Sequence, residues 1–484
     1  MSARTSSSAR ASSGRGLALR GFSFGEHIPS ITVATLSSAF GVALLQATGV
    51  LTTIIQGDEV TGSSGTVAAL LGIVAGVFMI IAIYVGAVVT ANTFSTIIAG
   101  RTRTIALLRL IGSSAQSQRR AVAREGLVVG VVGSLLGAIV GTAITAGGVA
   151  LGVAFGAIPS YEYSYGSWVL ALPVIAVVMT TWAASWVGSR RVLTVSPMQA
   201  TGNAQEMSLG ESTARRRRNV TSIVLMIVGV GFLFLGIAAG LVTSAGVLIG
   251  VVGGLISFTG LVMGAHLIMP RALRLVGKLF GSSASARLAA ENAVRYPERS
   301  SRTTIGLVIG VTLVTMFAVA IESYKTMLNA AQANDPEYYA GIEETFAITT
   351  IVLTVLTGFS ALIAAVGMVN NLSLSVLQRT RELGLLRALG FTAAQVRRMI
   401  LAESAQLTIA AVLVGLLLGT FYGWAGAQSL LGSISGGAGI ILPSVPIAVL
   451  VVVVVSAALL TWIASVAPAR RATRVAPVTA LAVQ

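Results

Sequence analysis

Long apolar runs separated by short polar ones dominate the 484 residues. Ten of these runs are long enough to cross about 30 Å of hydrocarbon as helices rising roughly 1.5 Å per residue. They occupy 28–55, 66–99, 126–158, 168–188, 220–243, 245–269, 303–323, 346–377, 402–430 and 447–466. The pattern predicts an all-α integral membrane protein of about ten transmembrane helices, grouped four, two and four. Residues 1–20, rich in Ser, Ala and Arg and without apolar periodicity, predict a disordered basic tail. The apolar run that follows is too long for the core of a signal peptide. A first four-span unit then occupies 21–200, a cytoplasmic linker 201–219, a two-span connector 220–270, an amphipathic cytoplasmic segment 271–302, and a second four-span unit 303–484. A tight turn near Ser244 joins the connector spans. Within 271–302 a surface helix is expected over 286–295, ended by Tyr296-Pro297.

Two polar excursions between spans carry the clearest internal signal. Residues 101–120 and 379–398 share ten identities in twenty positions at one offset, including Arg101/Arg379, Arg103/Arg381, Leu107/Leu385, Leu108/Leu386, Arg109/Arg387 and Gly112/Gly390. Asn92/Asn370 and Glu125/Glu403 keep the same offset, and Trp182/Trp462 nearly so. The chain reads as a tandem duplication whose repeated element is a short charged excursion. In the second copy Leu383, Leu386, Leu389 and Met399 recur at helical spacing with arginines between them. Gly390 is expected to end one helical piece and Thr392 to cap the next. A short amphipathic helix at a membrane surface either floats in the headgroups or docks on a soluble partner. Charge alone suits any cytoplasmic loop, but it does not account for the repeated identities. Arg109 and Arg387 suit either a docking contact or a phosphate-headgroup anchor.

The 32 basic residues change the picture through their distribution. Placing both excursions on one side puts every Lys and Arg except Lys325 there, while Asp58, Glu59, Glu162, Glu322, Asp335, Glu337, Glu343 and Glu344 fall in the opposite loops. The positive-inside rule then makes this a multi-pass cell-membrane protein with both termini cytoplasmic. The net charge of +16 is thus a topology signal and not a nucleic-acid footprint. Tyr161, Tyr163, Tyr165 and Trp168 suit an interfacial aromatic belt at an outer loop.

Several chemistries are excluded or disfavoured. The chain has no cysteine, and its two histidines, His27 and His266, lie far apart, so no thiolate or histidine metal site is expected. Lys278 and Lys325 are the only lysines, and no phosphate-cradling G-x-x-x-x-G-K-[ST] run exists. No catalytic constellation is present, so the chain is not expected to be an enzyme. Ionisable groups are scarce in the spans, which argues against an ion-coupled carrier. Glu125 and Glu403, where spans begin, suit ion pairs that orient the excursions. Asn92 and Asn370 suit interhelical hydrogen bonds, and Gly126–Gly130, Gly133–Gly137–Gly141 and Gly250–Gly254 suit close helix packing.

The stretch Arg379-x-Arg-Glu382-Leu-Gly-Leu385-Leu386-Arg387-Ala-Leu389-Gly390, between two spans and followed by Glu403, resembles the FtsX/MacB-type permeases of ABC transporters. The closing 469–481 stretch is similar to that family's usual end. The resemblance implies that the excursions are coupling helices docking two copies of a separate cytoplasmic ABC ATPase, which would hold the ATP and Mg; this chain would need no cofactor. Arg101, Arg103, Leu107, Leu108, Arg109 and Gly112 would serve in the first copy. Arg379, Arg381, Glu382, Leu385, Leu386, Arg387, Leu389 and Gly390 would serve in the second, with Glu125 and Glu403 in support. The first copy departs from the pattern at Thr104 and Ala106, where the second has Glu382 and Gly384. The four-two-four plan is similar to the bacitracin-efflux type without its large external domain, whose place is taken by 324–345. The implied activity is ATP-driven export or extraction of an amphipathic small molecule or peptide from the bilayer by mechanotransmission. The alternative is a regulatory module acting on a cell-wall hydrolase or a sensor kinase.

Overall fold

The computed structural model describes residues 24–57, a set of helical positions between 72 and 92, 102–156, 158–190, 216–278, 291, 297–334, 336, 390–434 and 439–474. The described residues are helical or lie in turns and short connections, with no strand among them. The helices are α1 (Phe24–Gly57), α2 (Thr102–Leu110), α3 (Ala115–Ala154), α4 (Ala171–Gly188), α5 (Arg216–Gly240), α6 (Gly246–Gly277), α7 (Pro297–Asn334), α8 (Ala393–Leu431) and α9 (Ile447–Arg474). Among the described residues seven are long and apolar enough to cross a membrane, and a shorter apolar stretch opens α9. The multi-pass, all-helical class expected from hydropathy therefore holds. The run 346–377 lies outside the described residues, and 66–99 is represented by the helical positions between 72 and 92.

The helices overrun the apolar runs that announce them. Hydropathy starts two spans at 126 and 402, yet α3 begins at Ala115 and α8 at Ala393, each unbroken through the charged residues. Backbone hydrogen bonding continues a helix wherever propensity allows, and the arginines at these inner ends are good helix formers. Helix α6 runs past Pro270 to Gly277. Pro297, expected to stop a helix, instead stands first in α7, where its missing N–H costs nothing. The C-terminal half of the same helix absorbs the start of the 324–345 loop, as far as Asn334.

Packing divides the helices into three sets. Helices α1, α3 and α4 pack on one another; α7, α8 and α9 do likewise; α5 and α6 form a tight antiparallel hairpin through the turn at 241–245. The hairpin lies against α8 and α7. Small residues set these approaches, as lipid-embedded helices require. A Cβ on Gly137 would meet the Thr35 carbonyl and Ser38 of α1, and one on Gly419 would stand 2.5 Å from Thr315 Cβ of α7. In the hairpin, Gly236 and Gly250 face each other, and a Cβ on Gly236 would stand 2.6 Å from the Gly250 nitrogen. Gly254, by contrast, has only a loose neighbour in Leu233. The largest apolar core gathers Phe258, Leu261 and Met269 of α6, Ile305 to Phe317 of α7 and Ala411 and Val412 of α8. Val33 and Val85 join it from the first half of the chain.

Polar side chains tie the sets together inside the bundle. Tyr84 and Thr259 bring their hydroxyls to 2.8 Å, Ser257 and Tyr422 theirs to 3.0 Å, and the Phe258 ring packs edge-on against both tyrosines. Gln406 donates to the Leu273 carbonyl at 2.9 Å, and the Thr408 and Thr461 hydroxyls stand 2.7 Å apart. Near the end of α8 Gln428 donates to the Gly439 carbonyl and accepts from the Ile441 N–H, while Trp424 donates to the Ile441 carbonyl, so the loop before α9 is pinned to α8.

Candidate functional site

The first excursion folds as an elbow between α2 and α3. Helix α2 ends at Leu110, Ile111 opens the turn, and Gly112 follows with φ +99°. Gly112 N–H donates to the Arg109 carbonyl at 3.2 Å, and Ser113 N–H reaches back to the Leu108 carbonyl at 2.9 Å. This paired closure needs a left-handed residue at its centre, which is why glycine stands there. Ser114 then caps α3 by accepting from the Ser117 N–H at 3.1 Å, and Gln118 donates to Ser113 Oγ at 2.8 Å.

The second excursion shows the same turn where it is described. Gly390 has φ +98°. Thr392 accepts from the Gln395 N–H at 3.2 Å, while Gln395 Oε1 accepts from the Thr392 N–H at 2.9 Å. The reciprocal pair is a capping box, and it satisfies two of the N–H groups that a helix start leaves open. Ser117 occupies the position of Gln395 in the first copy, so that cap has one arm.

On α2 the two faces differ sharply. Ile105 and Ala106 are buried, whereas Leu107 is 48% exposed, Leu110 52% and Ile111 81%. Leu107, Leu110 and Ile111 stand at i, i+3 and i+4 and form one apolar stripe. Leu108 and Arg109 are half-buried at its edge. Leu107 and Leu108 belong to the expected docking set and Leu110 and Ile111 do not, because periodicity alone does not show which face the bundle covers. Arg101 lies outside the described residues, and Arg103 is helical. Of the second set, Arg379, Arg381, Glu382, Leu385, Leu386, Arg387 and Leu389 lie outside the described residues, and Gly390 is the member described.

The elbow is fixed to the bundle behind it. Arg119 lays its guanidinium over the Trp186 ring at 3.9 Å and donates to the Trp186 carbonyl at 3.4 Å, locking the start of α3 to the end of α4. Glu125 and Glu403 sit inside α3 and α8, well after the helix starts, and Glu403 is buried. At about 1.5 Å per residue the first eleven residues of α3 extend roughly 16 Å before the apolar run begins. Helix α3 is therefore continuous from the elbow into its apolar run. No cluster of His, Asp and Glu suited to a metal occurs among the described residues.

The described residues thus define a multi-pass helical membrane protein with a built turn and an exposed apolar stripe at one end of its bundle. The sequence model of the family described as FtsX-like permease C-terminal matches residues 76–197 and 354–477, just over half of the chain, and the chain belongs to the FtsX-like permeases. The second matched stretch lies where the internal offset carries the first. The chain is 37% identical over 108 residues to the Uncharacterized ABC transporter permease YknZ of Bacillus subtilis (strain 168), covering 22% of this chain and 25% of that protein. It is 28% identical over 187 residues to the ABC transporter permease YtrF of the same organism, covering 35% of this chain and 42% of that protein. The matches thus span less than half the length of either relative.

Proposed function

We propose that this chain is the membrane subunit of an ABC transporter, with two copies of a cytoplasmic ABC ATPase docking on 101–120 and 379–398. The observation that carries the reading is the apolar stripe of Leu107, Leu110 and Ile111, exposed on a short helix whose other face is buried. Both relatives are named as ABC transporter permeases, which supports it. The ATPase binds ATP and Mg, and this chain contributes shape and motion without catalysis. Closure of the ATPase pair pushes the elbows. The stroke then runs through α3 and α8, which continue unbroken from elbow to outer surface.

The cargo is a hydrophobic or amphipathic compound leaving the bilayer sideways. The spans offer few charged groups to line a hydrated path, and the outer loops hold the eight acids against Lys325. Cationic amphiphiles are favoured on that account at low salt. The test is co-purification with the partner ATPase followed by turnover assays in liposomes. Replacing Leu107, Leu110 and Ile111 by Ala together weakens the complex by about 2 kcal/mol or more, the scale of a buried interface anchor. Hydrophobic cations stimulate turnover more than matched anions, and neutralising Glu337, Glu343 and Glu344 shrinks the difference. An intact complex in the triple variant refutes the docking surface; equal stimulation by small hydrophilic solutes refutes sideways entry.

A further inference from the structure

The connector hairpin falls between the two family matches, which end at 197 and resume at 354. Docking of an ATPase on the elbows gives its inner end no role. That end gathers Arg216, Arg217 and Arg218 at the start of α5 with Arg271, Arg274 and Lys278 at the end of α6. All but the half-buried Arg218 are exposed. No Asp or Glu occurs from 216 to 278, whereas α3, α7 and α8 each carry a glutamate close to their inner arginines.

The two groups of cations are held together. His266 Nε2 and Asn219 Oδ1 lie 2.8 Å apart across the hairpin, and His266 Nδ1 lies 3.1 Å from the Met263 carbonyl. Ser222 packs against Gly260 and Gly264 one turn further in. Beyond Pro270, α6 is amphipathic: Leu273 and Val276 are buried with Leu407 and Ala410 of α8, while Arg271, Arg274 and Leu275 face outward, Leu275 at 66% exposure. Val220, Ile223, Val224 and Ile227 continue the exposed apolar surface along α5. Guanidinium groups therefore stand within a turn of exposed apolar side chains. The positive-inside rule explains which side the cations take. It does not explain why six of them converge on one clasped hairpin without a single acid on it.

We infer that the inner end of the α5–α6 hairpin is a binding surface for anionic phospholipid headgroups. Arg216, Arg217, Arg271 and Arg274 supply charge-assisted hydrogen bonds to phosphate oxygens, and Leu275 and Val220 lie along the acyl chains. The occupant is lipid because the cationic surface is continuous with the lipid-facing one.

The test uses the full-length protein in nanodiscs of mixed phosphatidylglycerol and phosphatidylcholine, reading the lipid retained on gentle detergent extraction by native mass spectrometry. The wild type retains phosphatidylglycerol over phosphatidylcholine. Each arginine replaced by glutamine lowers that preference by about fivefold. The paired variants R216Q/R217Q and R271Q/R274Q are made separately, so that a fold defect in one leaves the other to decide, and the corresponding lysine variants keep most of the preference. Retention unchanged in both glutamine pairs overturns the inference, as does competition by millimolar inorganic phosphate as effective as by phosphatidylglycerol, which points to a soluble anion. Loss of ATPase co-purification with lipid retention intact assigns the surface to the ATPase and overturns it too. None of these readings requires that the elbows dock an ATPase.

Discussion

Gly112 and Gly390 stand at the same point of the two elbows, with φ +99° and +98°. An L side chain in that conformation costs about 1–2 kcal/mol. Gly112→Ala is expected to lower the melting temperature of the purified protein, and Gly112→Asn to lower it less, because asparagine enters the left-handed region more readily. Equal effects would mean that the turn relaxes to another shape. The caps make a second prediction. Thr392→Ala removes the side-chain arm of the capping box, leaves the bond from its own backbone N–H to Gln395 Oε1, and costs about 1 kcal/mol locally. Amide exchange over 394–396 should quicken, and Ser114→Ala should have an equal or larger effect over 116–118, because its cap keeps no second arm. Turn and cap residues are legible in sequence because one residue type meets one backbone requirement. Leu110 was not legible, since its role depends on Ile105 and Ala106 being covered.

Helices α3 and α8 are the elements that join elbow to membrane. Hydropathy marks where their apolar segments begin but not where their helices begin, because charged residues interrupt the first pattern and not the second. The same limit hid the extension of α6 past Pro270 and of α7 to Asn334. Continuity of α3 can be tested at Arg124, which is exposed between elbow and bilayer. Arg124→Pro breaks the helix there at a cost of about 3 kcal/mol. ATPase binding should persist while substrate-stimulated turnover falls, and Arg124→Ala should keep both. Helix packing gives a sharper contrast. Gly137→Ala forces a Cβ onto the Thr35 carbonyl and should destabilise the α1–α3 contact, whereas Gly147 has nothing within 4 Å. Gly147→Ala should therefore be neutral or gain up to about 1 kcal/mol from helix propensity. Similar thermal shifts for the two variants would contradict the packing of α1 on α3.

At the scale of the molecule, the connector hairpin packs against α7 and α8 of the second set. The hairpin also meets the first half of the chain where Tyr84 reaches Thr259. The sequence showed the membrane class, the repeated excursions and the hairpin, because each rests on local pattern. It did not show that the hairpin favours one side, since lipid-embedded contacts are made by small residues that look alike wherever they occur. Topology is open to direct measurement, as the chain has no cysteine. Single cysteines at Ser63, Ser164, Asn334 and Ser433 should react with an impermeant thiol reagent in intact cells, and those at Ser113, Ser208 and Thr392 should not. Reaction at Ser113 from outside would reverse the orientation.

The central claim is that the apolar stripe of α2 is an ATPase docking surface. A photo-crosslinking amino acid at Ile111, the most exposed residue of that stripe, tests it in living cells, with Val242 in the outer turn as the control. Identification of the adducts by mass spectrometry should give an ABC ATPase at Ile111 and none at Val242. Adducts at Ile111 consisting of lipid alone would contradict the account.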